Sequence, residues 1–215
     1  QYLEETNNLN SCADIIRFIA NNKKVIKLDA LNNNKLLDKL IKCELKIEIG
    51  YMNKINRYET WNDLIPISNF DNKKYFHKDV YEFWIIGNDS KIVKDTLHAE
   101  LYDPEKAGYM LGYPNCCVKK WNNLEINKYW TLYLLSLNKS KNSYPFQNNR
   151  ILTEVGFLSL LGEMFPCTLD CKKSKEIGNN TIKSLKNLKL TNLLQNFKNN
   201  CLKTLYFSEN GEISL

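Results

Sequence analysis

With 215 residues, 43% of them hydrophobic and 25% charged, the chain has apolar material for one sizeable core and ordinary globular proportions, which excludes a disordered or fibrous protein. No apolar run reaches the ~18 residues that span a bilayer, since even the strongly apolar stretch 130–137 is interrupted by polar residues, so neither a membrane anchor nor a membrane partner is expected. The net charge of +6 comes from lysines spread between positions 23 and 203 without an arginine cluster, a distribution that permits a nucleic-acid partner and does not require one.

Ser11 stands before Ile15, Ile16, Phe18 and Ile19, which recur at helical spacing, and reads as the N-cap of a short amphipathic helix. Leu36, Leu37, Leu40 and Ile41 predict a second helix, and Leu45, Ile47 and Ile49 alternate with charged residues as a strand that should stop at Gly50. Every residue of 80–86 except Glu82 is aromatic or β-branched, and the run ends on Gly87-Asn88-Asp89, so it is expected to be a central strand followed by a turn. Helices are predicted over 89–101, 104–111, 115–124, 129–137 and 168–188, the last requiring Gly178 in its interior. The polar stretch 138–149 reads as a mobile loop. Asn210-Gly211, between 202–207 and 212–215, is the strongest hairpin signal in the chain. The pattern predicts an α+β fold, a helix-rich single domain with a small, mostly antiparallel sheet and a C-terminal β-hairpin. Within it, 1–93 is a mixed part without motifs, 94–190 a helical part that carries the cysteine motifs, and 191–215 a helix and the hairpin.

Seven cysteines are too few for a disulfide scaffold of this length, and the odd number would leave one unpaired, so a reducing cytoplasm is expected. The chain begins with Gln1 instead of Met, which points to residues trimmed or left out upstream. Two segments stand out: Gly112-Tyr113-Pro114-Asn115-Cys116-Cys117-Val118 and Phe165-Pro166-Cys167-Thr168-Leu169-Asp170-Cys171. In each a proline stands just before a cysteine pair, and proline favours the first helical turn, so both pairs are predicted at helix N-termini, where free N–H groups stabilise thiolates. Cys167 and Cys171, four apart, would share one helical face as ligands of one centre, and a disulfide between adjacent Cys116 and Cys117 would close a strained ring. The four sulfurs are therefore expected to converge on an iron–sulfur cluster or zinc, although C-x₂-C, the commoner zinc spacing, is absent. Cys12, Cys43 and Cys201 sit in apolar patterns and read as buried core thiols.

His98 and Glu100, just upstream, are candidates for an acid/base pair or an additional ligand, against the plainer reading of surface residues. His77 reads as structural. Asp103, Glu163 and Asp170 read as solvated carboxylates at helix starts. Tyr109, Tyr113, Trp121 and Trp130 could wall a pocket, although aromatics at helical spacing more often build core.

The two cysteine segments, with Ser174 to Gly178 after them, resemble an uncharacterised prokaryotic family, domain of unknown function 483, whose members carry a GYPxCC segment and a later PCxxxC segment. The resemblance covers roughly 97–178 and implies that Cys116, Cys117, Cys167 and Cys171 act as a set, without implying a reaction. Two functions follow as expectations: an enzyme that uses the four-cysteine site on a small-molecule substrate, through a cluster, a metal or a reactive thiol, and a zinc-stapled binding module for RNA or a protein partner.

Overall fold

The computed structural model describes residues 11–29, 40–53, 80–122, 159–201, 206–207 and 213–214. In chain order the elements are helix α1 (Cys12–Ile19), strands β1 (Val25–Asp29), β2 (Lys46–Asn53) and β3 (Val80–Gly87), helices α2 (Ser90–Tyr102), α3 (Pro104–Met110), α4 (Asn115–Asn122), α5 (Lys172–Asn187) and α6 (Thr191–Cys201), and strands β4 (Tyr206–Phe207) and β5 (Ile213–Ser214). The α+β class holds. The predicted helices at 36–41, in large part, and at 129–137, the loop 138–149 and His77 lie outside the described residues. The chain divides into two compact units, one of Lys24–Gly112 with Asn122–Lys128, the other of Gln1–Lys23, Tyr113–Trp121 and Tyr129–Leu215.

The first of these units is built on an antiparallel sheet of order β1-β3-β2. β3 is central, as its β-branched and aromatic run predicts: Phe83, Trp84, Ile85 and Ile86 are all buried, so both of its faces are covered. β2 does not stop at Gly50. It continues to Asn53 because Gly50, opposite Phe83 in the register, lets the aromatic ring lie where a side chain would stand. β1, whose Val25-Ile26-Lys27-Leu28 is too short to announce itself by period, supplies three buried aliphatics. α2 packs on the sheet through Val93, Thr96 and Ala99, a stripe at three-residue spacing, after Asp89 caps it by accepting from the Ile92 N–H. Asp103 ends α2 and caps α3, where Pro104 takes the first turn.

In the other unit α1 packs on α5 and α5 on α6, around a core of Cys12, Ile16, Leu160, Leu185, Leu194 and Phe197. α5 buries Ser174, Gly178, Thr181, Ser184 and Leu185, so its inner face consists mainly of small residues, and Gly178 is tolerated because it sits on that face. The buried hydroxyls are satisfied: Thr181 Oγ1 donates to the Leu160 carbonyl at 2.7 Å and Ser184 Oγ to the Asn180 carbonyl at 2.8 Å. β4 and β5 pair antiparallel, Tyr206 opposite Ser214 and Phe207 opposite Ile213, while the expected turn at Asn210-Gly211 lies outside the described residues.

Two local expectations are corrected here. Ser11 precedes α1, but its hydroxyl makes no cap bond and instead donates to Glu163 Oε1 at 2.9 Å. The helix predicted at 168 begins only at Lys172. Residues 159–170 commit their polar groups elsewhere: the Leu160 carbonyl accepts from Thr181, the Leu161 carbonyl from Arg17, and the Glu163 N–H donates to Asp14. A segment whose backbone is held by such long-range partners does not wind into the next helix.

Candidate metal centre

α4 opens directly after Pro114, whose carbonyl accepts from the N–H groups of Cys117 (2.9 Å) and Val118 (3.0 Å), so Cys116 and Cys117 occupy the first helical turn as predicted. The second pair departs from expectation. Cys171 is the extended N-cap of α5, with φ −62° and ψ 110°, and Cys167 lies in the preceding turns, so the two do not share a helical face. This irregular backbone brings both sulfurs toward α4 and aims the Cys167 N–H at Cys117 Sγ, 3.3 Å away.

All four sulfurs lie within 4.8 Å of one another. Cys116 Sγ is 3.7 Å from Cys171 Sγ and 3.9 Å from Cys117 Sγ, and Cys117 and Cys171 are 3.8 Å apart. Burial is graded across the set: Cys117 is 1% exposed, Cys171 8%, Cys167 half-buried, and Cys116 exposed. Thiols this close cannot all ionise unaided. Hydrogen bonds from the Cys117 and Cys167 thiols hold Cys171 far below the ordinary thiol range, while Cys117 is driven far above it by its bonds to Cys167 and Cys171 and by burial. For Cys167 the bond with Cys117 pulls downward, but its bond with Cys171, burial and the neighbouring charges outweigh that and push it up to about 12. A cation among the sulfurs inverts this balance and admits four thiolates, so the quartet can hold a metal ion.

The segment that supplies Cys167 and Cys171 is anchored on Asp14 of α1. Asp14 is 1% exposed; its Oδ1 accepts from Arg17 at 2.5 Å and from Lys23, and its Oδ2 from the Glu163 N–H at 3.1 Å. Burial alone would raise the Asp14 carboxyl, but the two cations and these bonds hold it below the usual carboxylate range. Gly162, at φ +69°, passes so close that a methyl group there would overlap the Asp14 carboxylate. The Lys23 ammonium also lies 5.0 Å from the centroid of the Tyr113 ring, three residues before Cys116. Sequence reading missed this network, although Asp14 and Arg17 at i, i+3 spacing in an apolar helix were a signal for it. Glu163, read as a solvated carboxylate, is half-buried and bonded to Ser11.

His98 and Glu100 lie on α2, in the other unit. His98 is exposed, with its ring 4.9 Å from that of Tyr102, and the Glu100 carboxylate is paired with Lys27. Tyr109 also belongs to that unit and donates to Glu105 at 2.5 Å, while Tyr113 is half-buried; the Trp121 side chain and Trp130 lie outside the described residues. Of the three lone cysteines, Cys12 is buried as expected, but Cys43 is exposed, because it lies in a surface turn where Glu44 adopts φ +59°; the Cys201 side chain lies outside the described residues. Comparison with known proteins returns no match, whether with a family model, a curated protein or a solved structure. Among the described residues no helix is long and apolar enough to cross a membrane.

Proposed function

We propose that the four cysteines hold one zinc ion as a closed tetrathiolate site, and that this ion staples a binding module together. The observation that carries the reading is the spacing of the sulfurs. A tetrahedron of Zn–S bonds of about 2.3 Å has edges of about 3.8 Å, and the three sulfur pairs among Cys116, Cys117 and Cys171 measure 3.7, 3.8 and 3.9 Å. A four-iron cluster gives each thiolate its own iron and spreads the sulfurs to roughly 6 Å, so the distances favour a single ion over the cluster that the sequence also allowed. Four protein thiolates leave no coordination position for water or substrate, which weighs against a catalytic metal.

Two segments 55 residues apart in sequence, those of Cys116 and Cys171, meet at the ion, so metal binding contributes directly to the folding free energy. Zinc on four thiolates carries a net charge of −2, offset by the Cys167 N–H and by Lys119, Lys120, Lys172 and Lys173, all exposed beside the ligands in sequence. With a chain charge of +6, that cluster supports an anionic partner, of which RNA is the one to test.

Metal analysis of protein purified without added zinc is expected to give one ion per chain. Cys171→Ser should lose the ion and melt well below wild type, because a hydroxyl does not replace a soft thiolate. Loss of metal with an unchanged melting temperature would refute the staple. A binding constant for single-stranded RNA that does not fall with salt would refute the partner.

A further inference from the structure

We propose that Cys116 is a modification site, the one thiolate of the quartet that hydrogen peroxide oxidises, with Cys171 as the thiolate that completes a disulfide and so expels the metal; this rests on the zinc-staple reading above. Access separates the four sulfurs first. Cys116 is exposed, whereas Cys117 and Cys171 are 1% and 8% exposed and Cys167 is half-buried, so an oxidant in solution meets Cys116 before the others. Hydrogen bonding separates them again. The Cys167 N–H draws density from Cys117 Sγ, while among the described residues no N–H donates to Cys116 Sγ, which leaves it the more nucleophilic sulfur of the adjacent pair. Lys119 and Lys120, three and four residues on along α4 and exposed like Cys116, place two cations on its face of the helix, where they favour the anion that leaves.

The second step is set by distance and chain geometry. Cys171 Sγ lies 3.7 Å from Cys116 Sγ and comes from another segment, whereas a bond to adjacent Cys117 would close a strained ring. The Cys116 thiolate attacks one peroxide oxygen, the O–O bond breaks and hydroxide leaves, giving a sulfenic acid. The Cys171 thiolate then attacks the Cys116 sulfur, the S–S bond forms and a second hydroxide departs. Two electrons pass from the two sulfurs to the peroxide, and each hydroxide takes a proton from solvent to become water. Zinc is left with Cys117 and Cys167 alone, too few ligands to hold it.

The test uses the zinc-loaded 215-residue chain carrying Cys43→Ser, which removes the other described exposed thiol. Equimolar hydrogen peroxide is added, zinc release is followed with a chromogenic chelator, and disulfides are mapped by mass spectrometry of peptides. The expected result is release of one zinc per chain with a Cys116–Cys171 disulfide, and, when dimedone is present to trap the sulfenic acid, its adduct on Cys116 before any other thiol. A map with Cys117 joined to Cys167 while Cys116 stays reduced, or zinc retained under excess peroxide, overturns this inference and leaves the staple standing. A parent chain that takes up no zinc overturns both.

Discussion

Asp14→Asn tests whether the segment carrying two of the four clustered cysteines is held by the buried charge cluster on α1. The carboxylate accepts from Arg17 and Lys23 on one oxygen and from the Glu163 N–H on the other. An amide cannot reproduce this, because whichever way it is turned its NH₂ group faces a donor. With Arg17 and Lys23 side chains only 6% and 8% exposed, and Arg17 Nε already without an acceptor among the described residues, neither cation can recover its loss in water. Two charge-assisted bonds at about 1.5–3 kcal/mol each give a cost of about 3–6 kcal/mol, in line with the ~3–5 kcal/mol for removing one partner of a buried ion pair. Urea unfolding of zinc-loaded protein, followed by circular dichroism, measures it.

The pH dependence gives a second signature. The Asp14 carboxyl is lowered from its ordinary 3.8, so its contribution is fully present above that value and is lost as pH falls through the lower folded value. Lys23 is lowered from 10.5, chiefly by burial, with Asp14 opposing; without Asp14 it falls further, so the variant gains stability with rising pH over a wider range below 10.5 than the wild type does. The difference between wild type and Asp14→Asn should therefore shrink below about pH 4 and again as pH rises toward 10.5. A loss under about 1 kcal/mol at pH 7, or a gap that does not change from acid to alkali, would refute the anchoring role.

Gly162→Ala should cost about 3 kcal/mol or more and weaken zinc retention, since it adds about 1–2 kcal/mol of left-handed strain to a collision with Asp14; a titration against a chelator and a urea melt check both. Gly50→Ala should cost about 1–3 kcal/mol by overpacking against Phe83, and its effect should be partly relieved in Phe83→Leu, a non-additivity that a double-mutant cycle reads directly. A maleimide should label Cys43 long before Cys12, as peptide mapping would show; equal rates would mean that the region of Cys12 opens easily.

What the sequence made legible was whatever local chemistry decides. The run 80–86 had no plausible state but a covered strand, Asp89 and Asp103-Pro104 marked their helix starts, and four cysteines in two proline-led pairs marked a set of sulfurs that the fold brings together. The start of α5 was not legible, because residues 159–170 are held by Asp14, Arg17 and Thr181, partners up to 149 residues away that no window along the chain contains. Cys43 was misread for a related reason: an apolar neighbourhood in sequence says nothing of a turn whose left-handed residue carries it to the surface.

The same limit separates the cysteine set from its chemistry. Cys116 and Cys117 are adjacent and identical in type, yet α4 sends one to solvent and the other to 1% exposure, a difference set by helical phase of about 100° per residue. Phase becomes meaningful only once Pro114 has fixed where the helix begins and the core has fixed which side faces in. A motif can therefore name four sulfurs as a unit, but which of them an oxidant reaches, and which partner it then meets at 3.7 Å, are properties of the fold. In α4 the buried side begins at Cys117 and continues at Val118, so Cys116, one step before them, is the sulfur of the tandem pair left where solvent can reach it.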